Sequence, residues 1–506
     1  MCTYRRCARS FQPRYEKYEY TARGASVRAQ SIVECRLADW SGNRVLAVQP
    51  SVVSGGAEVS SGEVRYGGRL FFSVVAATPE GALIAAERGA EFSHRAECAE
   101  AAPAQTADVA LRVEKTEVRA DGRSLVLSAI VTAEIRLFVP SELQWLSGGE
   151  GVVCRRSPVR LQRITPCAGT VSLEEEFDTD YVGDVLLHSE QILLTRVVCS
   201  AGCLEVSGEI NIGILSRREE GDPVSYERLL PFSAEIPCDE ASSGLPCEAR
   251  ACILSANLTA SCDEEKGRCR ILARIEAEVR GIVCRREELV MADDAFLPGF
   301  SCTVRREEYA AQEPLCSFTA NERVCGAAAL NGTIDFSTSL QAAALCSVEA
   351  AAEASDGEIS VDGVLNAVLF CKEGETERGI PVSLPFSFPV RCDRARAGCA
   401  VSVSALCCGV SVRQKKEGEA EAEGTVRLFV TLSSRESYSY VADVEAGDAL
   451  PEGSAVSVYF PAAGDTLWDT AKRLGAAPEQ LQSSEPGLTY PLTGGERIVV
   501  YRRKGE

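Results

Sequence analysis

The chain has 506 residues, with 53 basic against 73 acidic side chains for a net charge of −20, and 45% of its residues are hydrophobic. That is the composition of a folded globular protein, so disorder of the whole chain is excluded. The acidic balance argues against a general role on phosphate backbones or anionic lipid surfaces. No run approaches the roughly 18 apolar residues that a membrane-spanning helix needs.

The first residues, Met1-Cys2-Thr3-Tyr4-Arg5-Arg6, carry positive charge with no apolar stretch behind them. Tyr15, Glu16, Lys17 and Tyr18 stand where one would lie. A secretory signal is not expected, and the chain should remain in the cytoplasm where it is made. The 23 cysteines are an odd number, and none form a C-x-x-C pair. Many replace an apolar residue in strand-like runs, as in Val152-Val153-Cys154 and Ile282-Val283-Cys284. Reduced, buried thiols that act as small hydrophobes are the expectation. With only His94 and His188 to draw on, neither a zinc site nor a Cys/His nucleophile is expected, and no cofactor is called for.

The chain repeats itself. Gly68-Arg-Leu-Phe-Phe-Ser-Val-Val leads through Pro79-Glu80-Gly81 to Phe92 and Cys98. Gly208-Glu-Ile-Asn-Ile-Gly-Ile-Leu leads through Gly221-Asp222-Pro223 to Phe232 and Cys238. Gly363-Val-Leu-Asn-Ala-Val-Leu-Phe leads past Gly374 to Phe386 and Cys392. In each copy the Phe precedes the Cys by the same interval, and the Gly precedes the Phe by 24, 24 and 23 residues. The copies lie far enough apart that each is a domain. A hairpin follows each Cys: at Asp121-Gly122 in copy one, at Asp263 to Gly267 in copy two, and across the acidic run Lys415 to Gly424, read as a solvated loop, in copy three. Ile271, Ala273, Ile275, Ala277 and Val279 alternate on one strand face. Gly151-Val-Val-Cys-Arg-Arg156 and Gly281-Ile-Val-Cys-Arg-Arg286 read as equivalent exit strands, and Ala350 to Ala354 as a short helix. Three all-β domains follow, each a sandwich or partly open barrel, spanning 26–145, 170–300 and 315–440.

From residue 455 to 506 the pattern changes to β-α-α-β. Thr466-Leu-Trp-Asp469 fits a capping box, Gly475 a helix stop and Pro478 a second helix start. Arg497 to Tyr501 reads as a closing strand. Trp468 is expected in the core.

Gly464-Asp465-Thr466-Leu467-Trp468, Pro486-Gly487-Leu488, Pro491-Leu492 and Gly495-Glu496-Arg497-Ile498 resemble a LysM domain. That resemblance implies binding of N-acetylglucosamine-containing glycan such as peptidoglycan. The groove would be lined by Gly464, Asp465, Thr466 and Leu467 with Glu485, Pro486, Gly487 and Leu488. Glu485 departs from the Asn that many LysM domains carry and leaves room for a protein ligand. Three repeats before a LysM module, with Leu230-Pro231-Phe232, Leu384-Pro385-Phe386 and Asp294-Ala295-Phe296, resemble the SPOCS-domain proteins of endospore-forming Firmicutes, the SipL-type spore morphogenesis proteins among them. The first copy is degenerate, with Ala90-Glu91-Phe92 in place of Leu-Pro-Phe. The resemblance implies three tandem SPOCS-like β domains, then LysM. It also implies a non-enzymatic sporulation adaptor in the mother cell, at the forespore surface or spore coat. There the chain would bind the spore coat morphogenetic ATPase of the coat basement and support coat assembly and encasement. The alternative is a peptidoglycan- or cortex-binding anchor acting through LysM.

Overall fold

A computed structural model describes residues 2–4, 11–40, 42–179, 184–217, 223–263, 268–328, 340–373, 376–416, 419–450 and 456–502. The protein is mainly β, and the described residues include two short helices in the last fifty positions. A three-residue strand, β1 (Cys2–Tyr4), precedes three similar sets of six strands. The first set is β2 (Gln12–Leu37), β3 (Arg44–Ser60), β4 (Glu63–Ala77), β5 (Leu83–Glu97), β6 (Thr106–Asp121) and β7 (Ser124–Glu150). The second is β8 (Val153–Thr179), β9 (Asp184–Ser200), β10 (Cys203–Arg217), β11 (Pro223–Pro237), β12 (Cys247–Asp263) and β13 (Arg268–Phe296). The third is β14 (Phe300–Ala328), β15 (Leu340–Ser355), β16 (Glu358–Glu373), β17 (Thr376–Arg391), β18 (Ala400–Lys416) and β19 (Glu419–Ala449).

Each set makes two antiparallel three-stranded sheets. The second, third and fourth strands form a meander. The last strand of the set lies between the first and the fifth. On β4, Val64, Tyr66, Leu70, Phe72 and Val74 are buried at every second position, with Gly68 in phase. Leu204, Val206, Ile210, Ile212 and Ile214 do the same on β10, and Ile359, Val361, Leu365, Ala367 and Leu369 on β16. Period-two burial is what one covered sheet face requires.

The repeated Gly has a steric cause. It sits directly across from the repeated Phe: Gly68 from Phe92, Gly208 from Phe232, Gly363 from Phe386. A Cβ there would lie 2.1 Å from the carbonyl oxygen of Val53, 2.6 Å from that of Leu193, and 2.3 Å from that of Glu349. The neighbouring strand thus crosses too closely for any side chain, and in the last two copies the Phe ring covers the bare backbone. The repeated Cys has a structural place too. Its backbone N–H donates to Gly62, Gly202 and Gly357 in turn, at 2.9, 2.9 and 3.0 Å, and each of these glycines holds a positive φ. Three residues after each Cys stands a buried alanine, Ala101, Ala241 or Ala395, whose carbonyl accepts from the same glycine.

The first and last strands of each set run on past the sandwich as a two-stranded ribbon. The pairing reaches Gln12↔Glu150, Val153↔Phe296 and Phe300↔Ala449, so the strands extend past both ends of the expected spans 26–145 and 315–440 and past the start of 170–300. All six strands supply one cluster: Tyr18, Tyr20, Leu143, Trp145, Val159, Leu161, Leu289, Met291, Tyr309, Ala311, Tyr438, Tyr440 and Ala442. Tyr309 pins two ribbons together by accepting from the Gln162 N–H at 2.8 Å, and burial pushes its phenol up to about 12. At the other end, Leu46, Val75 and Leu83 of the first repeat meet Leu187 and Leu215 of the second and Phe370 of the third.

Three expectations are corrected. Gly151–Arg156 turns into β8, the first strand of its set, whereas Gly281–Arg286 lies inside β13, the last. The two segments pair with different stretches, Cys154 with Ala295 and Gly281 with Cys167, so they are not equivalent. Ala350 to Ala354 is strand, paired with Gly363 to Ile359, because cross-strand burial overrides alanine's helix preference. The acidic run is not a loop throughout: β18 reaches Lys416 and β19 begins at Glu419, with Ala422 buried and Glu423 paired to Arg323. The expected turns at 264–267 and near 374 lie outside the described residues, as do Gly221 and Asp222.

Replacing Gly363 by Ala should destabilise the chain by about 1–3 kcal/mol, the usual cost of overpacking. A lower urea midpoint checks this; an unchanged midpoint contradicts the close-approach explanation.

Candidate functional site

The last module is β20 (Val456–Tyr459), α1 (Leu467–Leu474), α2 (Pro478–Ser484) and β21 (Ile498–Arg502). β20 pairs antiparallel with β21, whose other edge takes β1 in parallel. Thr466 caps α1 reciprocally with Asp469. Gly475 ends it in a left-handed turn. Pro478 opens α2 at its first turn, as the sequence leads one to expect. Ala471, Leu481, Leu492 and Ile498 make the core.

The eight candidate residues fall in two loops over that core. Leu467 and Leu488 both pack on it. Gly464, Thr466, Pro486 and Gly487 are exposed. Glu485 ends α2, its N–H donating to Leu481 and its carbonyl accepting from Leu488. Asp465 is placed differently. Its carboxylate is buried and accepts from Tyr459 Oη at 3.0 Å, Ala462 N at 2.8 Å and Arg473 at 2.7 Å. It shapes the loop from inside. A second acidic clasp holds the following turn, where Glu496 accepts from Thr493 N and Oγ1 and from Gly494 N. Those hydrogen bonds hold the Glu496 carboxyl down at about 2.

The feature that sequence reasoning missed is the seat of the module. Trp468 is buried, yet not in the module's own core. Its ring packs edge-on against Phe296, with centroids 5.3 Å apart, and the Arg155 guanidinium lies 5.7 Å from its centroid. Its indole N–H donates to Asp294 Oδ2 at 2.8 Å. Lys472, one turn along the same helix face, reaches both Asp294 oxygens at 2.7 and 2.9 Å, and Arg306 reaches Oδ1 at 2.6 Å. Ala295 N–H supplies another donor at 3.0 Å. Asp294-Ala295-Phe296 stands out in the sequence, but nothing there says that its partner is 174 residues away.

Burial opposes ionisation of Asp294. The hydrogen bonds from Lys472 and Trp468, the Lys472 charge and the Ala295 N–H outweigh it and hold the carboxyl below its ordinary value. A depressed carboxyl stabilises the folded state above its unfolded pKa of about 3.9 and loses that contribution as pH falls through the lower folded value.

Elsewhere, His188 Nδ1 lies 2.6 Å from Glu190 Oε1; burial works against its charge, but the Glu190 carboxylate prevails and raises its pKa. His94 packs beside the Phe92 and Tyr66 rings. A cavity of about 890 Å³ opens between the repeats. Its charges are largely matched within its walls: Arg23 to Glu248 at 2.9 Å, Arg280 to Asp108 at 3.3 Å, and Arg250 to Asp108. Among the described residues no group of three or more His, Cys, Asp or Glu is arranged to hold a metal ion. No described helix is long and apolar enough to cross a membrane. Cysteines in all three repeats are free thiols, as the sequence leads one to expect for many of them, whereas Cys269 is disulfide-bonded. Compared with protein families, curated proteins and solved structures, the chain matches none.

Removing the carboxylate at the seat (Asp294→Ala) should cost about 1.5–3 kcal/mol in docking, the range for hydrogen bonds to a charged group. Faster amide exchange in α1, with the β sheets of the repeats unchanged, is the expected result. In the wild-type chain that docking should be flat between pH 6 and 8 and weaken below about pH 4; Trp468 emission is the readout.

Proposed function

We propose that the chain is a non-enzymatic sporulation adaptor that links the spore coat morphogenetic ATPase to the forespore surface. In this reading it works in the mother-cell cytoplasm, as a SPOCS-domain protein whose LysM-like module takes a protein partner. The observation that carries the proposal is the way the last module is held. One face of α1 is fixed to the second repeat through Asp294, while Gly464, Thr466, Pro486 and Gly487 stay exposed. A binding loop on a rigid support loses little freedom on binding. The three repeats, which share apolar clusters, suit a support better than three independent binders.

Glu485 favours a protein over a glycan, since a carboxylate beside the groove must be desolvated without a matched cation on a neutral sugar. The same loops would serve a peptidoglycan anchor if the groove accepted N-acetylglucosamine, and one variant separates the readings. A side chain added at Gly487 meets nothing within 4 Å, so Gly487→Arg puts a long charged side chain on the candidate loop without disturbing the fold. The full-length chain should capture the coat ATPase, identified by mass spectrometry, from sporulating-cell lysate, and the variant should lose at least tenfold of that capture. Cosedimentation with purified peptidoglycan that the variant abolishes, with no ATPase captured, would replace the adaptor by the anchor.

A further inference from the structure

Repeats two and three each place three cysteines at matching positions. Cys238 and Cys392 are the turn residues that follow the fourth strand. Cys167 and Cys316 lie on the first strands, β8 and β14. Cys247 opens β12, and Cys399 directly precedes β18. Within each repeat the three pack against the same apolar core. Repeat one keeps only the turn residue, Cys98, in a core against which Ala25 of its first strand packs.

The facing thiols are close. Cys316 Sγ lies 4.0 Å from Cys392 Sγ, across 76 residues of chain. In the second repeat Cys238 lies in the core cluster that Cys167 packs against. A disulfide needs its sulfurs about 2.05 Å apart, so roughly 2 Å of approach, shared between two side chains, would close the bond. All four are free thiols. An apolar core has no need of paired thiols: repeat one does without them, yet the same two positions carry cysteine in repeats two and three.

We propose that Cys316–Cys392 and Cys167–Cys238 are paired oxidation sites at which a small-molecule disulfide installs a staple. The staple joins the first strand of one sheet to the turn that closes the other sheet of the same repeat. The Cys316 thiolate attacks the small disulfide, forming a mixed disulfide and expelling one small thiolate. The Cys392 thiolate then attacks the Cys316 sulfur and expels the second. Two protein thiols are oxidised, one small disulfide is reduced to two thiols, and the released thiolates take up the two protons. Burial pushes the Cys316 thiol up to about 11, so the exchange is slow near neutrality and faster toward pH 9.

The test uses the full chain, fully reduced, desalted, and incubated with excess oxidised glutathione. Remaining thiols are alkylated, and the chain is digested without reduction for mass spectrometry. The expected result is linked peptides joining Cys316 to Cys392 and Cys167 to Cys238, reversed by dithiothreitol, with a higher thermal midpoint for the oxidised chain. Cys316→Ala should lose the first link and keep the second; if that variant fails to fold, Cys392→Ala serves in its place. Alkylated thiols at all four positions, glutathione carried singly without a Cys–Cys link, or a dominant link to Cys399 or Cys247 would each overturn the assignment.

Discussion

A two-stranded ribbon with one apolar face is at best marginally stable in water. Three such ribbons, one from each repeat, solve that problem for one another. Tyr18 and Trp145, Leu161 and Met291, and Tyr309 and Tyr440 come from different ribbons and fill one cluster. The sandwiches above them inherit their relative placement from that junction. They meet again through Leu83, Leu215 and Phe370. Copies that share two cores are tied as one body, unlike beads on linkers, whose default is relative motion.

The ribbon ends also explain where the last module can sit. Asp294 stands at the end of β13, beside Arg306 of β14, and needs more donors than its own ribbon supplies. Trp468 and Lys472 on one face of α1 provide them. A nearly buried carboxylate with its donors removed is costly, so the contact fixes the module's orientation more than its affinity. The exposed turns at Gly464 and Gly487 are thereby held on a firm base.

Much of this was legible. The Gly-Phe-Cys anchors revealed three repeats because each anchor answers a local constraint: a crossing carbonyl, a ring that covers bare backbone, a turn N–H with one acceptor. The capping box at Thr466 and the stop at Gly475 were legible for the same reason. What the sequence concealed is long-range. Strand alternation continues smoothly from sandwich into ribbon, so nothing between Ser141 and Glu150 marks where one ends. The likeness of Gly151–Arg156 to Gly281–Arg286 misled because short apolar-basic runs suit either strand of a ladder. Asp465 looked like a groove residue, but its three donors include Arg473, eight positions on. The spacing of Trp468 suits a core position, but its neighbours, Asp294 and Phe296, belong to the second repeat.

The central claim is that the three ribbons form one cooperative unit. Native-state hydrogen exchange under increasing denaturant tests it most directly, read at amides in 15–22, 158–165 and 306–313. One common opening free energy, equal to that of global unfolding, is the predicted result. If one ribbon opens at a distinctly lower free energy while the other two stay protected, the repeats are separate domains and the shared core does not hold them together.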